Sequence, residues 1–577
     1  MFRLLLPMAL LAGLHLPAAA QSTATPLAPQ PTGKQMARPA ETKGTVRRHL
    51  VYFRDKAGTP FSVSRPEEFL SGRALQRRQR QQIAVLPRDL PVSPAYVQQV
   101  KAVPGVQLWY TSRWFNAAVL ACDSAALAQV QALPFVQQAR TLNRGPVAGG
   151  AQPKTTPTTS GADQTTADRS FYGKAYAQVR QVGAERMHTA GFRGENMQIA
   201  VFDGGFPGVN TASIFTSLNQ ENRLAGTFNV VDKTPNVFQS IAHGTNCLSI
   251  IAGDEPGRYV GLAPKATFRL FITEDAASEH PLEEANWLVA AEYADSAGVD
   301  IISSSLGYNT FDAPSTDYTY ADMNGRTAIS SRAAAAAARV GMLVVSSAGN
   351  EGNKAWRYIT APADADSVLT VGAADSLGAV AGFSSRGPTA DGRLKPNVSA
   401  MGVATAFITA DGKIARDNGT SYSAPVVAGL AAGFWQANPR LTAQQVIGLL
   451  QRAGSQATAP DNSLGYGIPD FVRAYNLANP GTPLATAPAR AVAGLYAYPN
   501  PVGPNEPLYL QLPAGPGRVA PLEISIYDAR GALVARQRVA PAATGVVRLE
   551  TAGLRPGIFT CLIGQGPQQL AVRFVKQ

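Results

Sequence analysis

Apolar positions recur in three stretches of this chain, separated by Pro-, Thr- and Gln-rich segments with no period. In the first stretch, His49–Arg54 reads as a strand. Pro66–Gln82 reads as a basic amphipathic helix, and a shorter helix follows near Ser93–Val103. Val106–Tyr110 and Trp114–Ala121 alternate like strands. Asp123 is placed to cap a helix to Leu133, and Val136–Leu142 closes the set. The order β-α-α-β-β-α-β predicts a ferredoxin-like α+β unit over 48–143.

The second stretch, 171–477, alternates apolar strands with helices. Met197–Phe202, Ala266–Ile272, Val299–Ser304, Gly341–Ser346 and Val368–Gly372 read as buried strands. Cys247–Ala252, Val426–Trp435 and the alanine-rich run Ser330–Val340 read as helices. Such alternation predicts an α/β domain with a parallel sheet, whose reactive groups gather at the carboxyl ends of the strands. The third stretch, 493–577, holds short strands at Leu508–Leu512, Leu522–Tyr527, Leu533–Arg538, Val546–Leu549, Ile558–Ile563 and Leu570–Val575. Gly, Pro and Asp turns separate them, and a small β-sandwich is expected.

The connecting segments read differently. Residues 1–20 have the form of an export signal: Arg3, an apolar run Leu4–Leu16, and Ala18-Ala19-Ala20 before Gln21. Residues 21–47 are expected to be disordered, and 144–170 and 478–492 read as linkers. No later apolar run is long enough to span a bilayer, so no transmembrane anchor is expected after the signal is removed.

Charge first suggests a different role. The 577 residues carry a formal charge of +12, which invites a nucleic-acid or polyanion reading. Divided by region, that reading fades. Residues 1–170 hold 20 Lys+Arg against 8 Asp+Glu, 171–477 hold 22 against 27, and 478–577 hold 9 against 4. The largest unit is therefore mildly acidic, and no nucleic-acid partner is expected for it. Three cysteines (Cys122, Cys247, Cys561) fall in three regions and form no zinc-binding spacing.

Five histidines limit the search for a catalytic base: His15, His49, His188, His243 and His280. Asp203 ends an apolar strand and precedes Gly204-Gly205, where a carboxylate can orient an imidazole. His243 stands before Gly244 at the start of an apolar segment. Ser421, in Gly419-Thr420-Ser421, opens an Ala/Gly-rich helix, so its own N–H faces a developing oxyanion. Asn350, in Ala348-Gly349-Asn350, follows a strand and offers a side-chain amide donor. Each alone suits a cap, a turn or a structural histidine. Together they follow the order Asp, His, Asn, Ser within one α/β unit.

On these residues 171–477 resembles a subtilisin-like serine peptidase, a subtilase. The resemblance rests on Val201-Phe202-Asp203-Gly204-Gly205, His243-Gly244-Thr245, Ser305-Leu306-Gly307, Ala348-Gly349-Asn350 and Gly419-Thr420-Ser421, with Phe383–Pro388 and Lys395-Pro396-Asn397 beside them. It implies Ser421 as nucleophile, His243 as general base, Asp203 as its orienting partner, and Asn350 with the Ser421 N–H as oxyanion hole. Ser305, Leu306, Gly307, Ala348 and Gly349 would flank a substrate paired as an extended strand. No cofactor is required for this chemistry. Structural calcium is common in such enzymes, but no ligand set is readable near Asp254-Glu255. Activity should rise through about pH 6–7 as the base loses its proton.

The sequence departs from the family at Gly204, where a hydroxyl residue is common, and at Asn246, where a second His is frequent. Tyr422 stands where many members carry an oxidation-sensitive Met. Cys247 lies one helical turn after His243, a placement that confers mercurial sensitivity in the proteinase-K-like branch. Residues 48–143 resemble a subtilase propeptide, whose basic helix Arg73–Arg80 could meet the acidic catalytic unit. The tail, from Tyr498-Pro499-Asn500-Pro501 to Phe574-Val575-Lys576, resembles the C-terminal sorting domain of type IX secretion substrates. The implied protein is a secreted or cell-surface endopeptidase, made as a zymogen. Its partners would be peptide substrates, its own propeptide and the secretion machinery of the outer membrane. A catalytically inactive surface adhesin is the alternative.

Overall fold

The computed structural model describes residues 45–142, 169–484, 495–504, 506–512, 522–528, 533–539, 545–563 and 570–577. The expected signal peptide at 1–20 lies outside them. So do nearly all of 21–47 and 144–170, and residues 485–492 of the third linker.

The N-terminal unit has strands β1 (Arg47–Phe53), β2 (Gln107–Ser112), β3 (Ala117–Cys122) and β4 (Val136–Thr141), with helices α1 (Gly72–Arg80), α2 (Pro94–Ala102) and α3 (Ser124–Gln131). Its antiparallel sheet runs β2-β3-β1-β4, the ferredoxin-like order. The helix expected across Pro66–Gln82 is broken. One short turn covers Pro66–Glu68, and α1 begins anew where the Ser71 side chain accepts from the Ala74 N–H. Asp123 caps α3 as expected, accepting from the Ala126 N–H at 2.8 Å.

Both faces of this sheet are buried, and the two-residue period of a strand decides which residue goes where. Val51, Phe53, Ala118 and Leu120 form the unit's own core beneath its helices. Leu50, Tyr52, Ala117 and Val119 point the other way, against Ala285 and Ile329 of the catalytic unit.

The catalytic unit opens with short helices α4 (Arg169–Tyr172), α5 (Tyr176–Gln181) and α6 (Ala184–Thr189). Then come β5 (Gln198–Asp203), α7 (Thr216–Gln220), β6 (Leu224–Asn229) and α8 (His243–Ala252). A small hairpin, β7 (Asp254–Glu255) and β8 (Tyr259–Val260), precedes β9 (Thr267–Ile272). Next are α9 (Pro281–Ala297), β10 (Ile301–Ser304), α10 (Ile329–Arg339), β11 (Leu343–Ser347), β12 (Leu369–Ala374) and β13 (Val398–Met401). The hairpin β14 (Thr405–Ile408) and β15 (Ile414–Asp417) leads into α11 (Thr420–Ala437), α12 (Ala443–Arg452) and α13 (Phe471–Ala478).

Seven of these strands form one parallel sheet in the order β13-β12-β11-β10-β5-β9-β6. One face packs on α8 and the long buried α11; the other packs on α9 and α10. The fold is the subtilisin-like α/β architecture expected. The tail strands are β16 (Tyr496–Tyr498), β17 (Leu508–Gln511), β18 (Leu522–Tyr527), β19 (Leu533–Val539), β20 (Val546–Leu549), β21 (Gly557–Ile563) and β22 (Leu570–Lys576). They form two antiparallel sheets, β16-β17-β20 and β19-β18-β21-β22, around Leu508, Leu510, Ile524, Ile526, Phe559 and Phe574. No described helix is long and apolar enough to cross a membrane.

The basic helix α1 is not a solvated face. Arg77 and Arg78 are fully buried against Asp295 of α9, with Arg78 2.8 Å from it and Arg113 2.6 Å from it. Arg73 and Arg80 bind Asp300. Burial pushes the Asp295 carboxyl upward, but Arg77, Arg113 and Arg78 overcome this and hold it below its ordinary value. Glu292 nearby accepts from the Ser112 hydroxyl and from the N–H groups of Arg113 and Trp114. Arg77 is one of three guanidinium groups on Asp295 and also donates to the Val299 and Val340 carbonyls, so removing it costs part of the about 3–5 kcal/mol of a stranded buried charge. Arg77→Ala should therefore lower the melting temperature of the uncleaved precursor by several degrees. Arg65→Ala, which breaks the exposed pair with Glu68, should leave it unchanged. Differential scanning calorimetry of both variants in a Ser421→Ala background checks this.

Candidate active site

Three neighbouring strands end within one residue of a common level. Phe202 pairs with Ser304, and Ser304 with Ser346. Their carboxyl ends therefore gather on one edge: Asp203 as the last residue of β5, Ser305-Leu306-Gly307 after β10, and Ala348-Gly349-Asn350 after β11. Helices α8 and α11 bring His243 and Ser421 to the same edge.

Asp203 is fully buried. Its two carboxylate oxygens lie 2.9 and 3.0 Å from His243 Nδ1, and the Gly204 N–H donates to it at 2.8 Å. A carboxylate only accepts, so Nδ1 carries the proton and Nε2 is the basic nitrogen. A backbone donor thus supports Asp203 where the family often has a hydroxyl. His243 is the first residue of α8, about one-third exposed at 31 %. Gly244 is required beside it, because a Cβ there would lie 2.4 Å from the Gly205 oxygen and 2.9 Å from the Asp203 Cβ.

Ser421 is the second residue of α11. Its hydroxyl donates to the Ser305 carbonyl at 3.2 Å rather than to His243, a resting arrangement common before substrate arrives. Pro425, four residues on, has no N–H to give the Ser421 carbonyl. That carbonyl instead accepts from the Ser305 hydroxyl at 2.8 Å and from the Cys247 thiol at 3.4 Å. The Asn350 Oδ1 accepts from both the N–H and the hydroxyl of Thr420, each at 2.9 Å. With the oxygen fixed this way, the donor end of the amide is the one available to a substrate.

The Ala348-Gly349 segment does not offer a pairing edge. The Ala348 N–H donates to Val371, its carbonyl accepts from Thr360, and the Gly349 carbonyl accepts from Ser385. Its backbone bonds are made within the protein. Tyr422 stacks on Phe407, with ring centroids 4.8 Å apart.

Cys247 Sγ lies 3.8 Å from His243 Nδ1 and is buried. Sequence spacing found this contact, but not the thiol's bond to the Ser421 carbonyl, which follows from Pro425. Burial lowers the affinity of the His243 ring for a proton, but Asp203 and Cys247 together outweigh it and leave the ring well above its ordinary value. Burial raises the Cys247 thiol, against an opposing pull from the His243 ring.

The carboxylates at the Asp254-Glu255 loop are already paired. Asp254 lies 3.0 Å from Lys265, and Glu255 lies 2.7 Å from Arg258. Among the described residues, two groups hold ligand atoms within 4.8 Å of one another: Asp203, His243 and Cys247, and Glu274, Glu279 and Glu283. Burial raises the Glu274 carboxyl to about 8, and it accepts from the Tyr308 hydroxyl.

Residues 194–467 match the Subtilase family. The chain is a subtilase. Residues 48–157 match the peptidase S8 propeptide domain of Bacteroidota, and 496–577 match the secretion system C-terminal sorting domain. Subtilisin E of Bacillus subtilis is 29 % identical over 293 residues, covering 50 % of this chain and 68 % of that protein. The serine protease AprX of the same organism is 30 % identical over 287 residues, covering 45 % and 61 %. A cuticle-degrading serine protease of Arthrobotrys oligospora is 31 % identical over 224 residues, covering 39 % and 48 %. This subtilase is a secreted serine-type endopeptidase made as a zymogen.

Two outcomes follow from the geometry of this subtilase. Its base must be neutral to act, and the neutral form dominates only above the raised His243 value. The acid limb of kcat/KM should therefore lie above pH 6.5, higher than the pH 6–7 rise expected from an unperturbed imidazole; a pH–rate profile reads it. A mercurial bound to Cys247 should displace the His243 ring and abolish activity, whereas Cys247→Ser should be resistant. Equal sensitivity of the two proteins would contradict this.

Proposed function

We propose that Ser421, His243, Asp203 and Asn350 carry the peptidase reaction. His243 Nε2 takes the Ser421 hydroxyl proton as Oγ bonds to the scissile carbonyl carbon. The carbonyl oxygen becomes an oxyanion, held by the Asn350 amide and the Ser421 N–H at the positive end of α11. Collapse breaks the carbon–nitrogen bond, and His243 returns its proton to the leaving amine. Water then repeats the sequence on the acyl-enzyme, with His243 as base and then as acid. Asp203 keeps the proton on Nδ1 and stabilises the imidazolium without accepting that proton. Every group in this sequence belongs to the chain, so the chemistry calls for no cofactor.

The observation that supports this reading best is His243 Nδ1 bonded to both oxygens of a buried Asp203 at the end of β5. Ser305, Leu306 and Gly307 line one side of the substrate and Ala348 and Gly349 the other. We assign 1–20 to a signal peptide, 48–143 to an inhibitory propeptide, 171–477 to the peptidase and 493–577 to the sorting domain. On this reading the signal peptide directs passage of the inner membrane, and the tail engages the outer-membrane secretion machinery.

A fluorophosphonate probe with peptide mapping by mass spectrometry tests the assignment. Label should appear on Ser421 and vanish in Ser421→Ala; an unlabelled mature enzyme would favour the inactive adhesin. Asn350→Ala should keep the label site but lower kcat by about 10²–10³, a magnitude carried over from subtilisin rather than derived from these distances. The same mass spectra read the mature termini, with the new N-terminus expected between 143 and 170.

A further inference from the structure

In the resting site the Ser421 hydroxyl bonds to the Ser305 carbonyl, so it does not hold His243 Nε2 in place. The imidazole is bonded at Nδ1 by Asp203, and a ring held at one nitrogen can still swing about that bond. Its position before substrate arrives therefore depends on what packs beside it. Cys247 Sγ stands 3.8 Å from Nδ1 and 4.0 Å from Nε2. A second neighbour is Tyr422, whose ring centroid lies 5.9 Å from that of His243 at an interplanar angle of 42°. That separation falls within the range of contacting aromatic rings.

Tyr422 is itself braced. It is buried, and its ring lies nearly parallel to that of Phe407, with 13° between the planes. Phe407 is also buried, and both of its chain neighbours are anchored. The Ala406 N–H donates to Gln178 Oε1 at 3.0 Å, and the Ile408 N–H donates to Ser249 Oγ at 2.9 Å. The Tyr422 hydroxyl donates to Asp417 at 3.4 Å. Phe407 and Asp417 belong to the β14–β15 hairpin, and Ser249 lies on α8 with His243 and Cys247. The helix that carries the base thus anchors the strand that braces Tyr422. Phe407, Tyr422 and His243 form a row of rings from the hairpin to the catalytic edge.

We propose that Tyr422 is a positioning residue for the general base: its ring, backed by Phe407, limits the swing of the His243 imidazole and keeps Nε2 within reach of Ser421. The inference rests on His243 being the base for Ser421. A tyrosine suits this task because it is rigid, with two side-chain torsions, and its tip can be tied to a polar partner. Methionine at the same place, with three rotatable bonds, would be a softer stop. Because Tyr422 acts through His243, it bears on turnover rather than on substrate affinity.

The test compares mature wild type with Tyr422→Leu, Tyr422→Phe and Phe407→Leu. Tyr422→Leu should lower kcat by about 10–100-fold, the scale of a reacting group misplaced by about 1 Å, with KM nearly unchanged. Tyr422→Phe keeps the ring and should retain most of kcat. The His243 Nδ1 proton, held against Asp203, should exchange faster with water in Tyr422→Leu than in wild type or Tyr422→Phe. Broadening of its low-field proton resonance reads this, and a general loss of stability would not move it in folded protein. Phe407→Leu leaves residues 420–422 untouched and should lower kcat in the same direction by less; it decides the matter if Tyr422→Leu fails to fold. Fluorophosphonate labelling taken to completion counts competent Ser421 in each protein. A fully labelled Tyr422→Leu with unchanged kcat or an unchanged resonance overturns the positioning role, as does a Tyr422→Phe that loses as much. Absence of label from the wild type overturns the assignment of nucleophile and base instead, and this proposal with it.

Discussion

The site depends on the register of three parallel strands. Because β5, β10 and β11 are aligned so that Phe202, Ser304 and Ser346 stand abreast, the three strands end within one residue of the same level. A slip of one residue between β5 and β10 would turn Asp203 from the edge into the sheet or carry it beyond reach of His243. The register is itself held by burial on both faces, with Ile199 and Val201 packed on one side and Ala200 and Phe202 on the other. Packing far from the chemistry thus fixes where the carboxylate stands.

The charge of the chain takes on a physical meaning in the same frame. The excess of basic residues in the N-terminal segment is spent on specific buried carboxylates, not on a diffuse field. Asp295 receives three arginines, and Asp300 receives two. These pairs are shielded from solvent, so salt screens them far less than it would a surface patch. The acidic balance of residues 171–477 is partly a binding face for the propeptide, which explains why neither region by itself reads as a polyanion-binding surface.

The proposed triad could be read because each member lies within two residues of a glycine at one end of an apolar element, and chain order supplied the rest. Helix α9 was not legible. Trp287, Leu288, Ala290 and Ala291 face the sheet while Glu292 and Asp295 lie under the propeptide, so the helix is covered nearly all round and shows no simple polar face. The short strands β6, β13 and β16 also escaped detection, and Pro66–Gln82 read as one helix because its basic positions keep a helical spacing across the break at Ser71.

The double-sided burial of the propeptide sheet ties its folding to the catalytic unit. In the precursor, β1 and β3 bury Leu50, Tyr52, Ala117 and Val119 against that unit, and Arg77 and Arg78 have Asp295 as their counter-charge. By itself, the same sheet presents that apolar row and those guanidinium groups to water, at a cost of about 25 cal/mol for each Å² of apolar surface exposed. A unit this small has little reserve stability to absorb the loss. The catalytic unit thus serves as the missing half of the propeptide's core, and the two pieces are more stable as folded bodies together than the smaller one is apart.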